Sequence, residues 1–162
     1  MQRDYDIIVW GATGFTGKLV TRYMETNYSQ GNLKWAVAGR NKSKLNSLGL
    51  SEENILIANS DDQDSIDQLV QKGRVILTAV GPYARYGSGL VQACAKYGTH
   101  YCDLTGEVYW MRKMIEEYET VAKNSGAKIV HTCGFDSIPS DLGTYFLQKS
   151  MMERCGVPAN HI

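Results

Sequence analysis

The chain has 162 residues, 43% of them hydrophobic, and its 17 basic residues balance its 17 acidic residues. This length suits one domain with a substantial core, and the lack of a like-charged run argues against nucleic acid or an anionic membrane surface as a partner. No charged-then-apolar leader follows Met1, and no apolar stretch approaches the ~18 residues that cross a membrane, so the sequence predicts a cytoplasmic protein.

Four cysteines, Cys94, Cys102, Cys133 and Cys155, are widely separated and form no CxxC pair. The first three fall in helix or strand patterns that predict burial. Reduced thiols are therefore favoured over disulfides or a zinc site, and no metal site is predicted.

Short β-branched runs alternate with amphipathic stretches along the chain. Strands are predicted at residues 6–10, 34–39, 54–59, 75–80, 99–103 and 127–133. Helices are predicted at residues 14–28, 42–48, 64–71, 87–97 and 108–124, with another starting near Ser140. Because strands that alternate with helices at this interval need crossover connections, the pattern predicts a parallel sheet with helices on both faces. The predicted fold is an α/β doubly wound sheet of about six strands, the Rossmann fold.

Three glycines spaced by two residues connect the first strand to the first helix. In a dinucleotide cradle the first permits a tight turn, the second lets the backbone approach a pyrophosphate, and the third lets the helix lie close to the sheet. The unpaired N–H groups of the helix then face the phosphates. The alternative is a tight turn that binds nothing. Cofactor contacts are predicted at Gly11, Thr13, Gly14, Phe15, Thr16 and Gly17.

The second strand ends at Arg40, where NAD-binding domains carry an acid that holds the ribose 2′-OH. Arg40 and Lys44 supply cations instead, and no acid lies between Leu33 and Asn46. A guanidinium binds phosphate through paired hydrogen bonds and can stack on an aromatic ring such as adenine. NADP(H) is therefore favoured over NAD(H), the alternative being that both cations simply lie on a solvated helix start.

The ends of the third and fourth strands add two further candidates. Asp61 is assigned to the adenine amino group, although Asp61 or Asp62 could equally cap the next helix. The run Val80-Gly81-Pro82-Tyr83 is a rigid turn over which a nicotinamide ribose would lie, its alternative being an ordinary turn with a packed tyrosine.

Carboxylates and hydroxyls follow the fifth and sixth strands. Ligands of such sheets bind beyond the carboxyl ends of the strands, so these residues are predicted to form a substrate-side lip. Helix capping alone would explain each of them singly, but three acids with two hydroxyls exceed what capping needs. The lip residues are Asp103, Thr105, Glu107, Asp136 and Ser137.

Together these motifs resemble the N-terminal domain of the saccharopine dehydrogenase-like oxidoreductases. The resemblance rests on the runs Gly11-Ala12-Thr13-Gly14-Phe15-Thr16-Gly17, Ala38-Gly39-Arg40, Val80-Gly81-Pro82-Tyr83, Tyr101-Cys102-Asp103-Leu104-Thr105-Gly106-Glu107 and Gly134-Phe135-Asp136-Ser137-Ile138-Pro139-Ser140-Asp141. It implies that the glycine loop, Arg40 and the 80–83 turn are cofactor positions. It also implies that the lip borders nicotinamide and substrate.

The resemblance further implies a larger α+β domain that contributes substrate contacts and a homodimer interface. Residues 1–145 are predicted to form the NAD(P)-binding domain, and residues 146–162 to begin the connection to that second domain, which is not present in this chain. Some relatives act on lysine-pathway intermediates and others reduce lipid substrates. The 162 residues alone are predicted to be inactive.

The predicted function is an NADP-dependent oxidoreductase that moves hydride to or from an imine, carbonyl or enoyl group, on a small molecule or a lipid. The alternative is a non-catalytic NAD(P)-binding module that senses redox state or docks a partner. No catalytic acid is assigned. Tyr109 and Lys113 have the YxxxK spacing of short-chain dehydrogenases but lack the upstream serine, and His100 and His131 are predicted to be packing or edge residues.

Overall fold

The computed structural model, which describes residues 3–161, alternates strands and helices in the predicted order. The strands are β1 (Tyr5–Trp10), β2 (Trp35–Gly39), β3 (Ile55–Ile57), β4 (Gly73–Thr78), β5 (His100–Asp103) and β6 (Ile129–Val130). The helices are α1 (Phe15–Tyr28), α2 (Lys42–Asn46), α3 (Gln63–Val70), α4 (Tyr83–Tyr86), α5 (Ser88–Tyr97), α6 (Val108–Ser125) and α7 (Ile138–Cys155). The predicted domain limits at residues 1 and 162 lie outside the described part.

The six strands form one parallel sheet in the order β3-β2-β1-β4-β5-β6. The chain runs outward from β1 in one direction and then from β4 in the other, so the order reverses between these two neighbours. Their register places Ile8 of β1 beside Ile76 of β4. A crevice opens at such a reversal, beyond the carboxyl ends of the strands, and the glycine loop follows β1 at this point.

Separate apolar cores cover the two faces of the sheet, as a doubly wound fold requires. Ile8 and Trp10 of β1 face a core built with α3, α5 and α6, whereas Val9 faces a smaller core built with α1 and α2. Because both faces are covered, residues 7–10 of β1 form a continuous apolar run rather than an alternating one. The predicted fold is confirmed.

The sixth strand is shorter than the predicted 127–133 because the backbone turns immediately after it. Thr132 adopts a left-handed conformation with φ of 60°, and its N–H donates to Asp103 Oδ1 over 3.0 Å. Cys133 N–H donates to the Asp103 carbonyl over 2.7 Å. Side-chain chemistry on β5 therefore ends β6, which no hydrophobic pattern records. The same turn leaves Cys133 exposed, so its predicted burial is wrong, whereas Cys94 is buried as predicted and Cys102 partly so.

Helix α7 differs from the others because none of its residues is buried. It runs without interruption through the predicted domain limit at residue 145. Large apolar side chains are exposed along it, at Leu142, Tyr145, Phe146, Leu147 and Met152. Within residues 3–161, none of the helices is both long enough and apolar enough to cross a bilayer.

Candidate functional site

Two glycines of the loop after β1 have no room for a side chain. Gly11 has a φ of +83°, and a Cβ there would overlap the Val80 side chain after β4. A Cβ on Gly17 would overlap the Gly11 carbonyl oxygen and the Ala12 backbone. Gly11 thus allows a turn with positive φ, and Gly17 lets α1 lie against the loop, as the spacing predicts.

Helix α1 presents unpaired backbone donors just beyond this loop. Its N-cap is Gly14, which supplies no capping side chain, and its first turn contains no acid. The first helical hydrogen bond runs from Lys18 N to Gly14 O, so the N–H groups of residues 15–17 have no helical acceptor. These donors and the positive end of the helix dipole favour an anion.

A cavity of about 300 Å³ lies at the carboxyl edge of the sheet, over the reversal point. Six predicted cofactor residues line it: Gly11, Thr13, Gly14, Arg40, Val80 and Gly81. Six further lining residues are not among the predicted cofactor contacts: Trp10, Gly39, Ala58, Ser60, Ala79 and Tyr86. Apart from Tyr86, each is a strand-end or near-end residue beside a predicted contact. Their positions near the cavity could therefore have been predicted from the strand ends. Which of them line the cavity could not be predicted.

Two larger clefts of about 590 Å³ each lie at the opposite ends of the strands. They are lined by residues such as Tyr5, Trp35 and His100, which begin β1, β2 and β5. Neither contains the glycine loop or a helix start with unpaired amides. Strand polarity and phosphate chemistry, rather than volume, therefore identify the smaller cavity as the site.

Arg40 is exposed and lines this cavity, while the other two charged candidates nearby do not. Lys44 lies in the first turn of α2, where its N–H donates to the N-cap Asn41 over 2.9 Å. Asp61 is exposed beside the lining residue Ser60. Its neighbour Asp62 caps α3, accepting from Asp64 N at 3.0 Å and Ser65 N at 3.2 Å. Asp62 thus takes the capping role that the sequence left open.

The turn after β4 is held by a carboxylate from the lip. Glu107 accepts from Tyr83 N through Oε1 at 2.7 Å and from Ala84 N through Oε2 at 2.9 Å. These two amides begin the short helix α4, which the sequence analysis did not predict. Pro82 and Gly81 are exposed beside it, whereas Tyr83 is buried. Burial raises the Tyr83 pKa to about 12, so its phenol stays neutral and bonds the Thr78 carbonyl over 3.2 Å.

Asp103 is buried rather than open to a substrate. Its Oδ2 lies 2.8 Å from the Tyr101 hydroxyl and 2.7 Å from His131 Nδ1. Its Oδ1 accepts from Thr105 N at 3.1 Å and from Thr132 N. Burial opposes ionisation of this carboxyl, but the bonds from His131 and the other donors outweigh it and lower its pKa. The predicted lip acid is therefore the centre of an internal network.

The remaining lip residues divide in the same way. Thr105 is buried, and its Oγ1 accepts from Glu107 N over 3.0 Å. Asp136 is exposed and Ser137 is partly buried, on the turn that leads into α7. The structure therefore brings Asp103, Thr105 and Glu107 into one hydrogen-bonded loop and leaves Asp136 outside it.

His131 and Tyr109, neither of which is predicted to be catalytic, differ in their surroundings. His131 packs edge-on against Tyr101 and Trp110, with ring centroids 5.7 and 5.1 Å away, as a packing residue would. Its Nε2 is buried and makes no hydrogen bond to any described residue. Tyr109 is 95% exposed and Lys113 pairs with Glu117 over 3.8 Å, so the YxxxK spacing does not assemble a catalytic pair here.

Residues 7–130 match the family model for the saccharopine dehydrogenase NADP-binding domain. The chain belongs to this family. The predicted family resemblance is confirmed, and with it NADP(H) as the cofactor.

Curated proteins from mycobacteria are similar to this saccharopine dehydrogenase-type domain. The trans-acting enoyl reductase of Mycobacterium tuberculosis is 39% identical over 158 residues, covering 94% of this chain and 37% of its own length. A second protein of that organism, which carries a provisional form of the same name, is 43% identical over 157 residues, covering 93% and 37%. The chain thus spans little more than a third of the length of these relatives.

Solved structures share the fold of this NADP-binding domain. Apo saccharopine dehydrogenase (L-Glu forming) from Saccharomyces cerevisiae superposes with a TM-score of 0.72 at 16% identity, covering 94% of this chain and 32% of that one. AtPrR2 with NADP+ and (+)pinoresinol gives a TM-score of 0.54 at 14% identity, covering 100% and 58%. At these identities the likeness concerns the fold alone.

Proposed function

We propose that this chain is the cofactor-binding part of an NADP-dependent oxidoreductase that moves hydride to or from an imine, carbonyl or enoyl group. One observation carries the proposal: the glycine loop and Arg40 line a single cavity at the sheet reversal, and α1 begins beside it with unpaired amides. The amide donors for a pyrophosphate and the Arg40 guanidinium for a 2′-phosphate therefore lie at the same carboxyl edge of the sheet.

Each group has a distinct role in this proposal. The glycine loop and the amides of residues 15–17 bind the pyrophosphate, and the Arg40 guanidinium binds the 2′-phosphate. The run Val80-Gly81-Pro82-Tyr83 would hold the nicotinamide half, because Val80 and Gly81 line the β4 side of the same cavity. Lys44 and Asp61 lie outside the cavity lining. At its margin Lys44 would add positive charge near the 2′-phosphate, and Asp61 would accept from the adenine amino group. NADP supplies the hydride chemistry when bound.

An enoyl group is the favoured substrate class, because the curated relatives carry the name of enoyl reductases. The substrate would be a small molecule or a lipid. The substrate pocket and a homodimer interface would be formed by a domain following the 1–145 unit, with 146–162 as the connection. The proposed location is the cytoplasm. Asp136 and Ser137 keep the proposed role of bordering the substrate.

Calorimetric titration of the 162-residue chain with NADPH and NADH tests the cofactor role without a substrate. The expected result is binding of both through the glycine loop, with NADPH tighter because only it engages Arg40 fully. Equal affinities would remove the 2′-phosphate role of Arg40. Lack of binding by either would remove the proposed site.

One observation favours the second candidate function, a non-catalytic NADP-binding module. Asp103 and Glu107, two of the three lip acids, are occupied by internal hydrogen bonds. They are therefore not free to serve as proton donors. Loss of NADPH absorbance in the presence of an α,β-unsaturated acyl thioester, measured with the full-length protein, would support the reductase. Tight NADPH binding without turnover on enoyl, carbonyl and imine substrates would support the module.

A further inference from the structure

Glu107 connects two strand ends that the sequence places far apart. The loop after β5 carries this carboxylate. It accepts hydrogen bonds from the Tyr83 and Ala84 amides in the turn after β4, which are 24 and 23 residues earlier in the sequence. Each carboxylate oxygen takes one N–H, so both oxygens and both leading amides of α4 are paired. The loop itself is fixed from behind, because Glu107 N donates to Thr105 Oγ1 and Thr105 N donates to Asp103.

This contact reaches the predicted cofactor turn directly. Gly81 lines the cavity two residues before Tyr83, and Gly11 packs against the Val80 side chain at the start of the same turn. A displaced 80–84 segment would therefore alter the wall of the cavity on its β4 side. The Arg40 side of the cavity, at the end of β2, makes no such contact with Glu107.

We infer that Glu107 is a positioning residue for the nicotinamide half of NADP(H) and not a group that contacts substrate. This inference rests on the proposed function. The Glu107 carboxylate holds the 80–84 turn in the conformation that lies under the nicotinamide ribose. The bonds are charge-assisted, which makes them stronger than bonds from a neutral acceptor. The adenosine half of the cofactor, whose 2′-phosphate Arg40 would bind, would be independent of this carboxylate.

The experiment compares two ligands on the same variants. NADPH contains both halves of the cofactor, whereas adenosine 2′,5′-bisphosphate keeps the 2′-phosphate and lacks the nicotinamide half. Glu107→Ala removes both hydrogen bonds to the turn and is expected to raise the Kd for NADPH about tenfold. Its Kd for the bisphosphate stays at the wild-type value. Glu116→Ala, which removes an exposed ion pair with Arg112 on α6, is the matched control and leaves both values unchanged.

Glu107→Gln keeps one carbonyl acceptor and replaces the other with an NH₂ group, so it should fall between wild type and Ala in NADPH affinity. It also keeps the test decisive if the Ala variant fails to fold. Hydrogen exchange gives an independent readout, because the Tyr83 and Ala84 amides should exchange faster in Glu107→Gln than in the wild type.

The outcomes separate the inference from the function on which it rests. If Glu107→Ala raises the Kd for both ligands equally, or for neither, the positioning role is overturned. Binding of NADPH by the wild type would still support the proposed function in that case. Lack of NADPH binding by the wild-type chain overturns both. Selective loss of NADPH affinity, graded from Gln to Ala, supports the inference.

Discussion

The two ends of the same sheet edge use their polar residues in opposite ways. On the β1 and β2 side, the first-turn amides of α1 lack helical acceptors, and Arg40 is exposed at a cavity. On the β5 and β6 side, Asp103 has four hydrogen-bond partners and Glu107 has two. Polar groups without internal partners are available to a ligand, and those with full complements stabilise the fold. Position at a strand end alone does not distinguish the two.

The largest expected effect concerns the stabilising side. Asp103→Ala should lower the free energy of unfolding by about 3–5 kcal/mol, because it leaves buried donors from Tyr101, Thr132 and their neighbours unpaired. Urea denaturation measures this loss. Asp136→Ala, an exposed acid from the same predicted lip, should change the value by less than about 0.5 kcal/mol. Similar small losses from both variants would contradict the internal role of Asp103.

The ligand-facing side should respond in affinity rather than stability. Arg40→Asp removes a phosphate-binding cation and adds a like charge, so NADPH binding should weaken by about 1.5–3 kcal/mol while NADH binding changes less. Calorimetry with both cofactors measures the difference, and urea denaturation should show an unchanged free energy of unfolding. Lys44→Asp, outside the cavity lining, is the matched control with a smaller expected effect. Equal loss for both cofactors would remove the special role of Arg40.

The contribution of Asp103 to the free energy of unfolding should depend on pH. The folded-state pKa of Asp103 is lowered, so its contribution to stability is present above the unfolded value of about 3.9 and is lost as pH falls through the folded value. The wild type should lose more unfolding free energy than Asp103→Asn between about pH 5 and pH 2. Asp67, whose pKa is also lowered by its hydrogen bonds although burial opposes this, adds to the wild-type slope, so Asp67→Asn is the control background. Identical slopes with and without Asp103 would contradict the assignment.

The smallest expected effect distinguishes two adjacent acids. Asp62→Ala should cost about 1 kcal/mol of stability, because Asp62 accepts from the first amides of α3. Asp61→Ala should leave stability unchanged, and it would weaken NADPH only if Asp61 reaches the adenine. Thermal unfolding and calorimetry on the pair measure both effects. A stability loss from Asp61→Ala instead would reverse the two assignments.

Much of the fold could be predicted because its signals are local. The apolar run before Gly11 predicts β1, and the lack of space at Gly17 follows from its place in the first turn of α1, against the loop. What the sequence could not give was which acids are paired, because partners such as Glu107 and Tyr83 meet only after the chain has crossed over from β4 to β5. The early end of β6 and the helix α4 both depend on such long-range bonds to side chains. The position of Arg40 at the cavity could be predicted because it depends on the strand end and not on a partner.

The glycine loop is attached to a central strand of the sheet. β1 is paired on both sides, by β2 and β4, and Ile8 and Val9 are completely buried. Its amides should be among the slowest to exchange with solvent, whereas the two-residue β6 opens readily at the edge. A nucleotide arriving at this loop meets a pre-organised surface, so little conformational entropy is lost on the phosphate side. Ordering upon binding should instead be concentrated toward the β5 and β6 end.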